Sequence, residues 1–435
     1  MSTEEDLLAG AVRKAARRLL PFLLLLYILA FLDRVNIGFA KQALLRDTGL
    51  GAAAYSFGAG IFFIGYALFE VPSNLIMHRV GARVWMCRIM VSWGLISAAM
   101  MFVTSAPVFY VLRFLLGAAE AGFFPGVILY LTYWFPAKNR GAMMGWFYFG
   151  PPLAQILGGP LSGLLLEMNG RGGLHGWQWM FLVEGLLATA VGLWTYSFLT
   201  NRPAEARWLS AAERTSLQAR LDAEDRAKHD LDKSTAARPL RRSRILYFGF
   251  IYCLIQMSVY GVIFYLPAQV AQLLGREVGF AVGLVSAIPW VCAFIAAYHL
   301  PRLVSRYGRA NRVAAAALFV AGIGIAASAS GVPLYALIAL CLATAGFIGA
   351  QPVFWTFPTN ELTGAGAAGG IALINSLGAV GGFLAPNLRT FAETATASSS
   401  AGQYVLAAIT VIASALMLSL RERRPSPPLP SGRPD

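Results

Sequence analysis

Runs of about twenty apolar residues recur along this chain, each long enough to cross a hydrocarbon core of roughly 30 Å as a helix. Twelve are read, near residues 20–41, 53–77, 84–104, 108–130, 141–166, 177–199, 245–272, 278–300, 311–330, 333–356, 364–388 and 402–420. Lipid offers backbone N–H and C=O groups no partners, so a crossing segment must satisfy them internally. The ten-residue alternation of barrel strands is not present, which leaves helices. Composition agrees: 57% of residues are hydrophobic and only 13% charged, and mean hydropathy is +0.61. A soluble surface could not be covered with so little charge. The expected fold class is an all-α membrane protein with twelve transmembrane helices. The first run is full length and no small-residue cleavage site follows it, so it is expected to stay as the first of them.

A net charge of +14 suggests nucleic acid until its distribution is read. If both termini are cytoplasmic, 28 Lys and Arg fall on that side. Five (Lys41, Arg46, Arg171, Arg276 and Arg389) fall outside, and Arg34 and Arg113 fall inside helices. That asymmetry is the positive-inside rule, and it requires an even number of spans. The basic charge is topological, and no nucleic-acid partner is expected. The four cysteines, Cys87, Cys253, Cys292 and Cys341, have neither paired spacing nor histidine neighbours. They read as small buried apolar residues rather than disulfide or zinc ligands.

One long polar stretch, Asn201 to Arg244, divides the runs six and six. The expected units are residues 1–200 and 243–422 as six-helix bundles, 201–242 as a cytoplasmic loop, and 423–435 as a disordered, Pro-rich tail. Within the loop, SAAERTSLQARLDAEDR reads as a surface helix capped by Ser210. A short repeat links the halves: Arg79-Val80-Gly81 follows the second run and Arg306-Tyr307-Gly308 follows the eighth, 227 residues later. Parallel halves of this kind are typical of secondary transporters, with the substrate site near the midplane between them. The loop after the second run resembles the signature of the major facilitator superfamily, Gly-x-x-x-Asp-Arg-x-Gly-x-Arg. Here it reads Asn74-x-x-x-His78-Arg79-x-Gly81-x-Arg83, without the opening Gly or the acid. The resemblance implies two pseudo-symmetric six-helix bundles. It also implies a conformational latch built from Arg79, Gly81 and Arg83, with Arg306 and Gly308 as the second-half counterparts. Simple positive-inside anchoring is the alternative reading.

Six charged residues are candidates for positions well inside the membrane: Asp33, Arg34, Glu70, Arg113, Glu120 and Glu184. Such a residue costs roughly 2.5–3.5 kcal/mol at a helix centre, so it normally faces a cavity and has a partner. Asp33 and Arg34 are adjacent and diverge by about 100° around a helix, though both can edge one cavity. Arg113 and Glu120 share a face about 10.5 Å apart along the axis, too far to pair, so each needs Asp33, Arg34 or a substrate. Guanidinium groups away from water suit a carboxylate, which they grip with two parallel hydrogen bonds. Buried carboxylates beside them can take up and release protons. The alternative is an ion-pair network that only holds helices one and four together. Glu70 reads as structural and Glu184 as a helix-packing contact.

The runs LDRVNIGFA, FEVPSN, RFLLGAAEAGFFPG, GWQWMFLVEG, FWTFPT and GIALINSLGAVGGFLAP resemble the anion:cation symporter family of that superfamily. This branch includes bacterial permeases for tartrate, phthalate, hydroxyphenylacetate and sugar acids. The resemblance implies proton coupling by Asp33 and Glu120, and substrate binding by Arg34 and Arg113 with Tyr66, Gln155, Trp355 and Asn375. It implies a monomer in the bacterial inner membrane with protons as the coupling ion and no other cofactor. The expected function is proton-coupled uptake of a small organic carboxylate by alternating access. The alternative is proton-coupled efflux of a drug or metabolite, since Gly150-Pro151-Pro152 and Gly158-Gly159-Pro160 loosely resemble an antiporter pattern. Paired intramembrane arginines favour anionic cargo. An enzyme is not expected, because no nucleophile elbow, metal cluster, CxxC or phosphate loop is present. The second half carries aromatic and amide groups (Tyr260, Tyr265, Trp290, Gln351, Trp355, Asn375) where the first carries charge. Coupling is therefore expected in the first half and shape selection in the second.

Overall fold

The computed structural model describes residues 2–234, 242–361 and 366–420, and every regular element among them is helical. The tail expected to be disordered, part of the loop (235–241) and the head of the eleventh run (364–365) lie outside the described residues. The first bundle contains α1 (Ser2–Thr48), α2 (Ala52–Val80), α3 (Ala82–Ala99), α4 (Ala106–Glu120), α5 (Phe123–Trp134), α6 (Ala137–Phe147), α7 (Gly150–Leu166) and α8 (Gly176–Phe198). After α9 (Ala211–Ser234), the second contains α10 (Arg242–Ile263), α11 (Leu266–Leu274), α12 (Phe280–Tyr307), α13 (Ala310–Ala327), α14 (Pro333–Glu361), α15 (Gly366–Thr396) and α16 (Ala401–Leu418).

Among the described residues, eleven helical segments are long and apolar enough to cross a membrane. The remaining expected crossing, 141–166, is split between α6 and α7. Pro151 and Pro152 open α7, and a residue without an N–H cannot extend the ladder of a preceding helix. Two other expected helices are also interrupted. The fourth breaks between α4 and α5 at Gly122, whose φ of 85° is left-handed. A Cβ there would stand 2.3 Å from Ser73 Oγ on α2. The seventh breaks between α10 and α11, where Pro267 lies in the first turn of α11. The first of these breaks makes Glu120 the last residue of α4.

The surface helix forms where its sequence signature places it. Ser210 Oγ accepts from Glu213 N (3.2 Å) and Glu213 Oε2 accepts from Ser210 N (2.9 Å), which is a reciprocal capping box. Lys14 holds Glu213 at 2.7 Å and keeps its carboxyl below the usual range. Arg140 meets Glu224 at 3.3 Å. Helix α9 is thereby tied to α1 and α6 of the first bundle. The Arg-x-Gly repeat has a backbone reason: Gly81 between α2 and α3 has φ 96° and Gly308 between α12 and α13 has φ 66°. Arg83 donates to the Tyr196 carbonyl near the end of α8 and lies over the Tyr196 ring.

The bundles meet along three helix pairs, α2 with α15, α7 with α12 and α1 with α11. Contact is closest at the end carrying the α1–α2 turn. There Ser56, Tyr265 and Thr390 share hydroxyl bonds of 2.6–3.1 Å. Along the α7–α12 seam the backbones nearly touch: a Cβ on Gly283 would lie 2.2 Å from Gly159 O, and one on Gly163 would lie 2.4 Å from Gly279 O. Backbones approach this closely only through such small residues. We expect Gly283→Val to hold the seam apart while each bundle stays folded. Spin labels placed across α7 and α12 should report a longer distance than in the wild-type protein, and an unchanged distance would show that the seam tolerates a side chain.

Candidate functional site

Between the bundles, displaced toward the end that carries α9, lies a cavity of about 950 Å³ with its mouth included. Helical spacing explains what lines it. Tyr27, Phe31 and Arg34 on α1 fall four and three residues apart, and Tyr252, Gln256 and Tyr260 on α10 fall four apart, so each set forms one stripe. Tyr66 and Phe63 come from α2, Gln155 from α7, Trp290 from α12, Gln351 from α14 and Asn375 from α15.

Arg34 is the charged group of this lining. Its Nε and Nη2 lie 2.7 and 2.5 Å from Glu120 Oε1, and its Nη1 donates to Tyr260 OH at 3.1 Å. The guanidinium also lies over the Tyr66 ring, 4.9 Å from its centroid. Glu120 is fully buried, and its other oxygen, Oε2, has no hydrogen-bond partner in the protein. Arg34 thus has its counter-charge in its own bundle and a phenol from the other.

Arg113 lies outside this lining. It is fully buried and donates from Nε and Nη2 to the Gly58 and Ala59 carbonyls of α2, at 3.3 and 3.2 Å. The Phe62 ring stands between the two guanidiniums, 4.9 Å from that of Arg113 and 5.5 Å from that of Arg34. The predicted separation of Arg113 from Glu120 holds, since no hydrogen bond joins them among the described residues; Arg34 fills the role of partner to Glu120.

Asp33 points away from the cavity toward α3. It accepts from Trp93 Nε1 (2.5 Å), Ser97 Oγ (2.6 Å) and Asn36 Nδ2 (3.2 Å). Glu184 is a packing contact within the first bundle, bonded to Ser162 and Asn36. Gln155 and Asn375 line the cavity as the resemblance implies, and Gln155 Nε2 is a buried donor without a protein partner. Trp355 stands one layer behind, with its ring edge-on to Tyr252 at 5.0 Å.

Glu70 does more than its position near a helix end suggested. It is buried on α2 and accepts across the bundle boundary from Asn375 Nδ2 (2.5 Å) and Ser376 Oγ (3.1 Å). The available signal was its place one turn beyond Tyr66 on the same face. Its partner, 305 residues away, left no trace in local pattern.

Comparison with known proteins agrees with this architecture. The model of the Major Facilitator Superfamily matches residues 23–386. An inner membrane transport protein of Escherichia coli, RhmT, is 50% identical over 96% of this chain and 97% of its own length. An Agrobacterium vitis protein named for tartrate transport is 42% identical over 97% and 93%. A quinolone resistance transporter of Acinetobacter baumannii is 39% identical over 94% and 93%. Among solved structures, a partially occluded inward-open form of the Escherichia coli xylose transporter XylE superposes with a TM-score of 0.72. It is 17% identical and covers 93% of this chain and 97% of its own, which is likeness of fold.

Removing one partner of a buried ion pair strands the other charge. Arg34→Ala should therefore destabilise the protein by about 3–5 kcal/mol, seen as a lower melting temperature in detergent. Arg34→Met combined with Glu120→Leu removes both charges and should recover most of the loss. A single variant as stable as the wild type would show that the pair is not desolvated.

Proposed function

The chain belongs to the major facilitator superfamily of membrane transporters rather than to a family of enzymes, and on that premise we propose that it imports a small organic carboxylate together with protons by alternating access. The reading is that of the anion:cation symporters. The observation that carries it is a cavity-lining guanidinium, Arg34, whose counter-charge is the buried Glu120.

Charge bookkeeping supports the proton. Among the described residues, the spans of the first bundle bury four carboxylates, Asp33, Glu70, Glu120 and Glu184, against two guanidiniums, Arg34 and Arg113, while the buried Arg389 of the second bundle is paired with its own Glu393 at 2.8 Å. An arriving anion adds a fifth negative group to a region of low dielectric, where like charges repel strongly. A proton on Glu120 removes one of them and frees Arg34 to take the substrate carboxylate with two parallel bonds. Anion and proton then enter together because each makes the other's charge tolerable. In this reading Asp33 holds a second exchangeable proton and Arg113 supplies the standing positive potential behind Phe62. Tyr66, Gln155, Asn375 and Trp355 shape the pocket. Amide groups from Gln155, Gln256, Gln351 and Asn375 favour a cargo that carries hydroxyls beside its carboxylate, a hydroxy acid of the kind for which the Agrobacterium relative is named.

The positive-inside distribution puts the α9 end in the cytoplasm. The conformation seen here, closed at the α1–α2 end, is then the inward-facing one. We take the protein to act as a monomer in a bacterial inner membrane, like the Escherichia coli relative by name, with Arg79, Gly81 and Arg83 and their counterparts Arg306 and Gly308 as the cytoplasmic latch. Efflux is the second reading, favoured by the quinolone resistance relative.

Proteoliposomes decide between them. With the exterior acidic, labelled tartrate or another member of a hydroxy-acid panel should accumulate, and a protonophore should abolish accumulation. Glu120→Gln should keep counterflow exchange and lose uphill uptake, whereas Arg34→Ala should lose both. Uphill uptake by the Gln variant would remove Glu120 from coupling, and gradient-driven loss of a cationic or neutral drug in place of acid uptake would establish efflux.

A further inference from the structure

Two carboxylates of the first bundle stand apart from the cavity and are linked through one amide. Asn36 Nδ2 donates to Asp33 Oδ1 at 3.2 Å and to Glu184 Oε2 at 3.1 Å, and Ser162 Oγ donates to Glu184 Oε1 at 2.8 Å. Asp33, Asn36, Ser162 and Glu184 are all at most 2% exposed, and Asn36 Oδ1 has no partner. The charged groups that act on Asp33 are Glu120 and Arg113 of α4, and the one that acts on Glu184 is Asp33. Helix α3 contributes Trp93 and Ser97, and α7 contributes Ser162.

Glu184 has hydrogen bonds but, among the described residues, no cation beside it. Neutral donors do not offset two negative charges side by side in a dry interior, where each ion costs several kcal/mol. A single proton resolves this. With Glu184 protonated, a small turn of the Asn36 amide, whose terminal torsion is soft, lets Oδ1 accept the new O–H while Nδ2 stays on Asp33. The orphaned acceptor then has its donor.

Position gives that proton a way in. Ser162 lies between Gly159 and Gly163, the residues that press against Gly283 and Gly279 along the α7–α12 seam. Parting of the seam would bring water to the turn of α7 that carries Ser162, whose hydroxyl holds Glu184. When the seam closes, both are sealed.

We propose that Glu184 is the site at which a proton from the α1–α2 side is loaded for delivery to Asp33. Water at the open seam gives a proton to the Glu184 carboxylate. After closure the carboxyl passes it to Asp33, so that Glu184 returns to carboxylate as Asp33 becomes carboxyl. The proposal rests on the proton-symport reading and deepens it, because the loading step is set by the seam rather than by the substrate cavity.

The test is Glu184→Gln in proteoliposomes, paired with infrared titration of the purified protein. Loss of a positioned proton carrier should slow gradient-driven uptake by about tenfold or more, while counterflow exchange, which needs no net proton movement, stays near the wild-type rate. The C=O stretch of one protonated carboxyl should vanish from the Gln variant. Ser162→Ala keeps the acid but removes a donor to its ionised form, so that band should persist to higher pH, and this variant serves if the Gln protein does not fold. Unaltered gradient-driven uptake in Glu184→Gln, equal loss of counterflow, or a wild-type spectrum without the Glu184 band would each overturn the proposal. If the wild-type protein showed the band but no gradient-driven uptake, the symport reading would fail while Glu184 remained a proton site.

Discussion

A guanidinium out of water needs a negative partner, and the arrangement of this protein's centre follows from how Arg34 meets that need. Its partner is Glu120, and both of its near nitrogens crowd one oxygen, leaving the other without a bond. The pair is therefore strong but not saturated. A second carboxylate arriving from the cavity can compete for the same nitrogens, provided Glu120 has somewhere to put its charge. Because Arg34 also holds Tyr260 of the second bundle, the state of the pair is felt across the bundle boundary.

That boundary is built to separate. Its contacts are glycine-to-glycine backbone approach along α7 and α12, polar links such as Glu70 to Asn375 and Ser376, and aromatic pairs such as Phe63 with Tyr260 and Phe149 with Phe294. In lipid, close packing and hydrogen bonds, rather than the hydrophobic effect, hold helices together. Asn375 is both a cavity residue and a bond to Glu70. On the proposed reading, cargo that took its amide would loosen this link between bundles.

Much of this was readable in the chain, and what was not has physical reasons. Apolar runs fixed the crossings because the bilayer leaves no alternative to helices, and the capping box at Ser210 placed α9 because its two bonds are local. The breaks near Gly122 and ahead of Pro151 were obscured: the flanking residues remain apolar, and hydropathy does not register a turn made inside the membrane. The cost of burying charge put Arg34 and Arg113 toward a cavity but could not say which one would meet it. That depends on where the Phe62 ring settles between them. The cross-bundle role of Glu70 depends on a residue from the other half, which no local pattern encodes.

The distribution of charge is also compatible with the proposed selectivity for an anion without an overtly positive cavity. Arg113 has no carboxylate of its own. It is held by carbonyls, and one nitrogen is left unpaired. A cation so placed contributes potential without offering a contact, and low dielectric carries that potential past Phe62 to the cavity wall. Arg34 offers the contact but is neutralised by Glu120 until a proton arrives. On the proposed reading, with the proton bound Arg34 would face the cargo, Arg113 would stand behind Phe62, and one fewer carboxylate would oppose them, so the site would become anion-selective at that step. Without it, an anion meets a neutral ion pair and three further acids, and a cation meets Arg34 at the surface and Arg113 behind it. Under the proposed symport, protonation would be what turns a cavity that repels both signs into one that accepts a carboxylate.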